Sequence, residues 1–106
     1  RETGAATGTT FPFSSPFCSD PALPDPRMMD VVESSARALG LASQRMPSGA
    51  GHDSQEIARI APMGMIFVPS VGGISHSPRE LTKPEDVANG VDVLLNAVVE
   101  ADRRLA

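Results

Sequence analysis

Apolar and small residues return every three or four positions between Arg27 and Gly40, where Met28, Val31, Val32, Ser35, Ala36 and Leu39 fall on one face. This period predicts an amphipathic helix, with Gly40 placed as the C′ residue that ends it. A second and longer stretch of the same kind starts near Thr82. Val87, Val91, Leu94, Leu95, Val98 and Leu105 keep helical spacing almost to the end of the chain. Pro84 suits the first turn of that helix, and Thr82 with Glu85 has the spacing of a capping box. Between the two lies a shorter helix predicted over Ser54 to Ala61, stopped by Pro62 and capped by Asp53 with Glu56 three residues on.

The other apolar runs are too short for helices. "MGMIFVPS" (Met63 to Ser70) is continuous and reads as a buried parallel strand. Leu41 to Pro47 is a weaker strand candidate, and "TGTTFPFS" (Thr7 to Ser14) has the Thr and Phe content of extended backbone. "SSPFCSDPALPDP" carries four prolines and reads as a linker that cannot be helical. The order strand, loop, helix, strand, loop, helix predicts an α/β fold with parallel strands. Right-handed crossovers would then put two loops on one sheet edge, where open α/β sheets bind ligands.

Those two loops hold both histidines. "SGAGHDSQ" (Ser48 to Gln55) places small residues before His52 and Asp53, and "VGGISHSP" (Val71 to Pro78) contains His76. Gly49 and Gly51 allow a ligand close to the backbone, and N–H groups entering a helix can hold an anion or a polarised oxygen. The same residues also serve as plain turn and cap chemistry. Spacing alone therefore does not make the loop a site, nor His76 a metal ligand, since a metal needs more donors than two histidines supply.

Sharper motifs are excluded. Ser54 replaces the third glycine of a dinucleotide-binding G-x-G-x-x-G, and the next apolar run ends in Pro69-Ser70 without a ribose-binding acid. Gly73-Ile-Ser75-His-Ser77 lacks the last glycine of a nucleophile elbow. A chain of 106 residues suits one domain, and 41% hydrophobic with 21% charged residues is a globular composition. A net charge of −4, four Phe and no Tyr or Trp give no footprint for nucleic acid or an anionic membrane. Cys18 is the single cysteine, which fits a reducing, cytoplasmic setting. The opening "RETGAATG" has no signal-peptide pattern, and its first residue, Arg, raises the expectation of a piece of something larger.

From about Asp20 onward the chain resembles the carboxyl-terminal segment of the N-carbamoyl-L-amino-acid hydrolases, which include allantoate amidohydrolases and beta-ureidopropionases of the zinc-exopeptidase-like superfamily. The resemblance rests on the SGAGHD loop, the apolar run with "FVPS", the "GISHSP-E" loop and the "PED" helix start. It implies a partial three-layer αβα sandwich, the last part of a catalytic domain over 27–106. Residues 1–14 would be the tail of a lid or dimerisation domain and residues 15–26 the hinge. It also implies a metal-dependent hydrolase that cleaves the ureido C–N bond of N-carbamoyl amino acids or allantoate. The complete enzyme would be a homodimer holding two divalent ions, zinc or manganese.

By motif, His76 matches the family's last metal ligand, and Gly51 and His52 match its substrate-contacting pair. The other metal ligands, the general-base glutamate and the carboxylate-binding arginine would lie upstream of this chain, which alone would be inactive. Ser54 stands where many members have alanine. Two alternatives stay open: a non-catalytic binding domain that retains the fold, and a related aminoacylase or dipeptidase.

Overall fold

The structure is a computed structural model that describes residues 2–15, 18 and 20–105. Among the described residues four α-helices occur in order: α1 (Glu2–Thr7), α2 (Pro26–Ala38), α3 (Ser54–Ile57) and α4 (Pro84–Leu105), with a 3₁₀ turn at Val71–Gly73 before the last.

Helix α2 is set at both ends by local chemistry. Asp25 is its N-cap and accepts the Arg27 N–H at 2.8 Å, while Pro26 starts the helix where a missing N–H costs nothing. The Arg27 guanidinium also grips the Asp25 carboxylate at 2.8 Å. Hydrogen bonds from the Arg27 side chain and backbone hold the Asp25 carboxyl at about 2, below its ordinary 3.8. At the other end Gly40 takes φ 72, Leu41 N–H donates to the Ala36 carbonyl at 2.9 Å and Gly40 N–H to that of Arg37 at 3.0 Å. This is the Schellman pattern that the glycine foretold. Helix α1 ends the same way, through Gly8 at φ 63 and Thr9 N–H to the Gly4 carbonyl at 3.0 Å.

Helix α4 packs against α2, and this contact makes the core. Val31 and Ala36 of α2 and Val93 and Ala97 of α4 are the buried apolar residues. Glu85 and Asp86 in the first turn and Arg103 and Arg104 in the last complement the α4 dipole. Pro84 opens the helix as expected, but the Thr82–Glu85 capping box does not form. The N–H groups of Asp86 and Val87 turn instead to the Lys83 carbonyl, at 3.0 and 3.1 Å.

The expected α/β sandwich with parallel strands is corrected by this architecture: among the described residues there is no strand. A strand exists through ladder bonds to a neighbour, and neither Met63–Ser70 nor Leu41–Pro47 meets one. Met63 accepts the Asp25 N–H at 2.8 Å, and Val71 donates to the Leu81 carbonyl at 2.8 Å; both are loop bonds rather than rungs. The stretch from Gly64 to Val68 lies against both long helices instead. A Cβ on Gly64 would stand 3.1 Å from Met28 Cβ, and one on Gly90 of α4 only 2.5 Å from Val68 Cγ1. The Leu41–Pro47 segment is tied to α2 by Arg45, whose guanidinium reaches Glu33 at 2.8 Å and also Asp30.

Two further expectations are revised. Thr7 begins no strand; it closes α1, and the remaining residues to Ser14 carry no regular element. The described residues of the proline-rich linker are irregular up to Asp25, but its last residue, Pro26, is helical and opens α2; Pro16, Phe17 and Ser19 lie outside the described residues.

With no sheet beneath it, α4 leaves much of its apolar face uncovered. Val91 is 57% exposed, Leu95 63% and Val98 59%. Val87, Leu94 and Val98, with Met28, Val32 and Ile66, line an open apolar trough of about 640 Å³ between α2, α4 and the Gly64–Val68 stretch. The Cα radius of gyration is 19.5 Å, against about 13 Å for a compact chain of this length. The thinnest dimension is only 17 Å. No helix of the described residues is long and apolar enough to cross a membrane.

Candidate functional site

The Ser48–Gln55 loop is built by short-range bonds that converge on His52. Ser48 Oγ lies 2.7 Å from His52 Nε2 and accepts the Ala50 N–H at 3.2 Å. The His52 N–H donates to Gln55 Oε1 at 3.0 Å, and Gln55 N–H returns to the His52 carbonyl at 2.9 Å. The first bond is the side-chain return of a capping box, one residue earlier than expected, while the second uses the His52 backbone carbonyl in place of a capping side chain. Asp53, expected to cap α3, makes no side-chain cap bond, and the helix is one turn followed by turn bonds to Ala61 rather than a continuous run.

Two contacts dock the loop on the neighbouring apolar run. The Phe67 ring meets the His52 ring edge-on, centroids 5.8 Å apart, and Ser54 Oγ lies 2.9 Å from Met65 Sδ. Gly51 and Gly49 stay open. A Cβ on Gly49 would meet nothing within 4 Å, and one on Gly51 would meet only Gln55 Oε1 at 3.4 Å. Packing within the described chain does not demand these glycines.

The second loop carries more backbone strain. Gly72 and Gly73 take φ 66 and 67, and His76, with φ 55, is the one non-glycine described residue in the left-handed region. For a residue with a Cβ this conformation is unfavourable and needs local support. Glu80 supplies it: its carboxylate accepts the His76 N–H at 2.8 Å, while Glu80 N–H donates to the Ser77 carbonyl at 2.9 Å. Ser70 Oγ closes the base of the loop onto the Ile74 carbonyl. The His76 side chain is exposed, and its ring bonds to no described residue.

The sheet edge expected to carry both loops is not there, and His52 and His76 share no bonded partner. Each sits in its own frame. A divalent ion does not fit the described residues alone, because no group of three or more His, Cys, Asp or Glu side chains is arranged to hold one. His76 offers a single imidazole. Sequence reasoning missed Ser48, Gln55 and Phe67 as neighbours of His52. Gln55 had a signal, the three-residue spacing of a capping-box return bond; Ser48 and Phe67 had none.

Residues 8–100 match Peptidase family M20/M25/M40, and the chain belongs to that family. M20 members are hydrolases and are generally metal-dependent. The chain is 50% identical over 78 residues to a ureidoglycolate hydrolase of Oryza sativa, covering 74% of this chain and 16% of the relative. It is 43% identical over 81 residues to an N-carbamoyl-L-amino-acid amidohydrolase of Rhizobium meliloti, covering 76% and 20% respectively. It is also 43% identical over 75 residues to an allantoate amidohydrolase of Bacillus subtilis, covering 71% and 18%. The matched segment thus spans a fifth or less of the length of these curated relatives. No solved structure matches the chain significantly.

Proposed function

We propose that this chain is the carboxyl-terminal part of an amidohydrolase that cleaves the ureido C–N bond of a linear carbamoyl or ureido acid. The supporting observation is the SGAGHD loop, with Gly49 and Gly51 sterically open and His52 held from three sides, in a family whose named relatives act on such acids. N-carbamoyl amino acids and allantoate are the expected substrates, and the first relative adds ureidoglycolate as a third ureido acid. In this reading Gly51 and His52 contact substrate, and His76 is one metal ligand whose fellow donors belong to the rest of the enzyme. Residues 1–14 and 15–26 are the tail of a lid domain and a hinge. The complete enzyme is a cytoplasmic homodimer with two divalent ions.

The open apolar face of α4 supports the status of a part rather than a whole. Five large residues, Val87, Val91, Leu94, Leu95 and Val98, are each more than two-fifths exposed. Such a contiguous stripe marks a surface meant to be covered.

The test is an assay of a full-length polypeptide containing this segment, read as ammonia released from N-carbamoyl-L-amino acids, allantoate and ureidoglycolate. At least one is turned over, and the 106-residue chain alone turns over none. Activity confined to N-acyl amino acids or dipeptides would replace this reading with the aminoacylase alternative. His76→Ala lowers metal content roughly tenfold or more, since even outer-shell changes at metal sites cost about that much. His52→Ala keeps the metal and loses substrate use. Equal metal in wild type and His76→Ala would remove His76 from the ligand set.

A further inference from the structure

We infer that Ser48 is a positioning residue for His52: its hydroxyl donates to Nε2, fixes the ring as the Nδ1–H tautomer, and presents that N–H to an oxygen of the substrate. The inference rests on the proposed role of His52 in substrate contact but assigns a residue and a proton which that reading leaves open.

Ser48 Oγ has one hydrogen and three neighbours: the Ala50 N–H at 3.2 Å, the Ala50 carbonyl at 3.3 Å and His52 Nε2 at 2.7 Å. The Ala50 amide can only donate, so it takes an acceptor lobe of Oγ. The hydroxyl hydrogen then goes to Nε2 or to the Ala50 carbonyl. At 2.7 Å the pair is shorter than the about 2.9–3.0 Å on which N–H···O bonds centre, which favours the hydroxyl over the ring N–H as donor. The carbonyl at 3.3 Å is the poorer acceptor for the same hydrogen. With Nε2 accepting, the neutral ring carries its hydrogen on Nδ1, and Nδ1 bonds to no described residue.

The rest of the frame keeps the ring from turning away. Gln55 Oε1 holds the His52 backbone N–H, and the Phe67 edge contact limits rotation of the ring. An imidazole fixed in this way is a donor with no proton to lose in binding, matched to a carboxylate or ureido carbonyl oxygen. Without Ser48, neutral imidazole reverts to its usual preference for hydrogen on Nε2, and Nδ1 faces the ligand as an acceptor. An oxygen acceptor is then opposed rather than bound.

The experiment is long-range 1H–15N NMR of the histidine rings in the full chain, at alkaline pH where imidazoles are neutral, for wild type, Ser48→Ala and Ser48→Thr. Ser48 is exposed, so both substitutions leave the packing in place. Wild type and Ser48→Thr show His52 as Nδ1–H, Ser48→Ala shows it as Nε2–H, and the His76 signals are the same in all three. A wild-type His52 in the Nε2–H form, or a Ser48→Ala ring that does not switch, overturns the inference. In a full-length enzyme carrying this segment, Ser48→Ala raises KM roughly tenfold, more than it lowers kcat, and Ser48→Thr restores it. A ring that switches while KM stays put overturns the positioning role. A wild-type enzyme that hydrolyses none of the ureido acids defeats the proposed function instead, and the tautomer spectra still decide the proton assignment.

Discussion

The α2–α4 pair and the two histidine loops solve opposite problems. In the helices every internal backbone group is satisfied within the element, so Pro26–Ala38 and Pro84–Leu105 need only caps and one packed stripe. What they lack is cover: Val93 and Ala97 are buried, while Leu95 and Val98 on the same helix are open. The loops have almost no apolar burial, and their shape comes from named polar bonds such as Ser48 to His52 and Glu80 to His76. Regular backbone in one region leaves apolar side chains uncovered, and irregular backbone in the other is held in shape by polar side chains. Helix packing and loop shape are therefore separable here, and substitutions should divide along the same line.

The largest effect is expected from Val93→Asp. It puts a carboxylate without a partner into the α2–α4 contact, where an unpaired buried charge costs several kcal/mol. Cooperative loss of helical circular dichroism in urea should disappear, whereas Leu95→Asp on the open face should move stability by no more than about 0.5 kcal/mol. Equal damage from the two would mean that the packed stripe is misplaced.

Gly90→Val comes next. Val68 Cγ1 already lies 2.5 Å from where the new Cβ would stand, and a valine cannot swing aside freely because its χ1 is stiff. Overpacking of about 1–3 kcal/mol follows, measured as a lower urea midpoint, although valine is the better helix former. A smaller contrast sets Gly40→Ala against Gly49→Ala. Gly40 sits at φ 72 and Gly49 has no left-handed φ and open space. The first should lose about 1 kcal/mol; the second should lose nothing or gain slightly. Urea titrations of the two variants side by side read the sign.

The mildest effect belongs to Asp25. Its folded-state carboxyl is depressed to about 2 by the Arg27 bonds, so its contribution is complete above the ordinary carboxylate value and is lost as pH falls from about 4 to about 2. Helical circular dichroism should decline across that window, and Asp25→Asn should flatten the decline. A transition centred above pH 5 would assign it to another group.

Legibility followed the range of the interactions. Helix α2 and the start of α4 were readable because period, Gly40 and Pro84 act within a few residues of themselves, although Pro26, read with the linker, in fact opens α2. The stretch Met63–Ser70 misled because its apolar content says only that it wants burial, and whether it becomes a strand depends on a partner elsewhere. Helix α1 escaped notice because Thr3, Gly4 and Thr7 are poor helix formers and its ending rests on Gly8. Gly51, His52 and His76 were singled out by their motifs. The Ser48–His52 bond was not, since a four-residue separation fixes no geometry in a loop.

The uncovered stripe on α4 also has a meaning in time. A polypeptide that carries Leu94, Leu95 and Val98 open to water is handled in a cell as an unfinished chain, held by chaperones and offered repeatedly to proteases. Its abundance would then be governed by how soon that stripe is covered rather than by how firmly α2 and α4 hold each other. Pulse-chase lifetimes should lengthen for Leu95→Asp although its folding stability hardly moves, which makes persistence and stability separate properties of this chain.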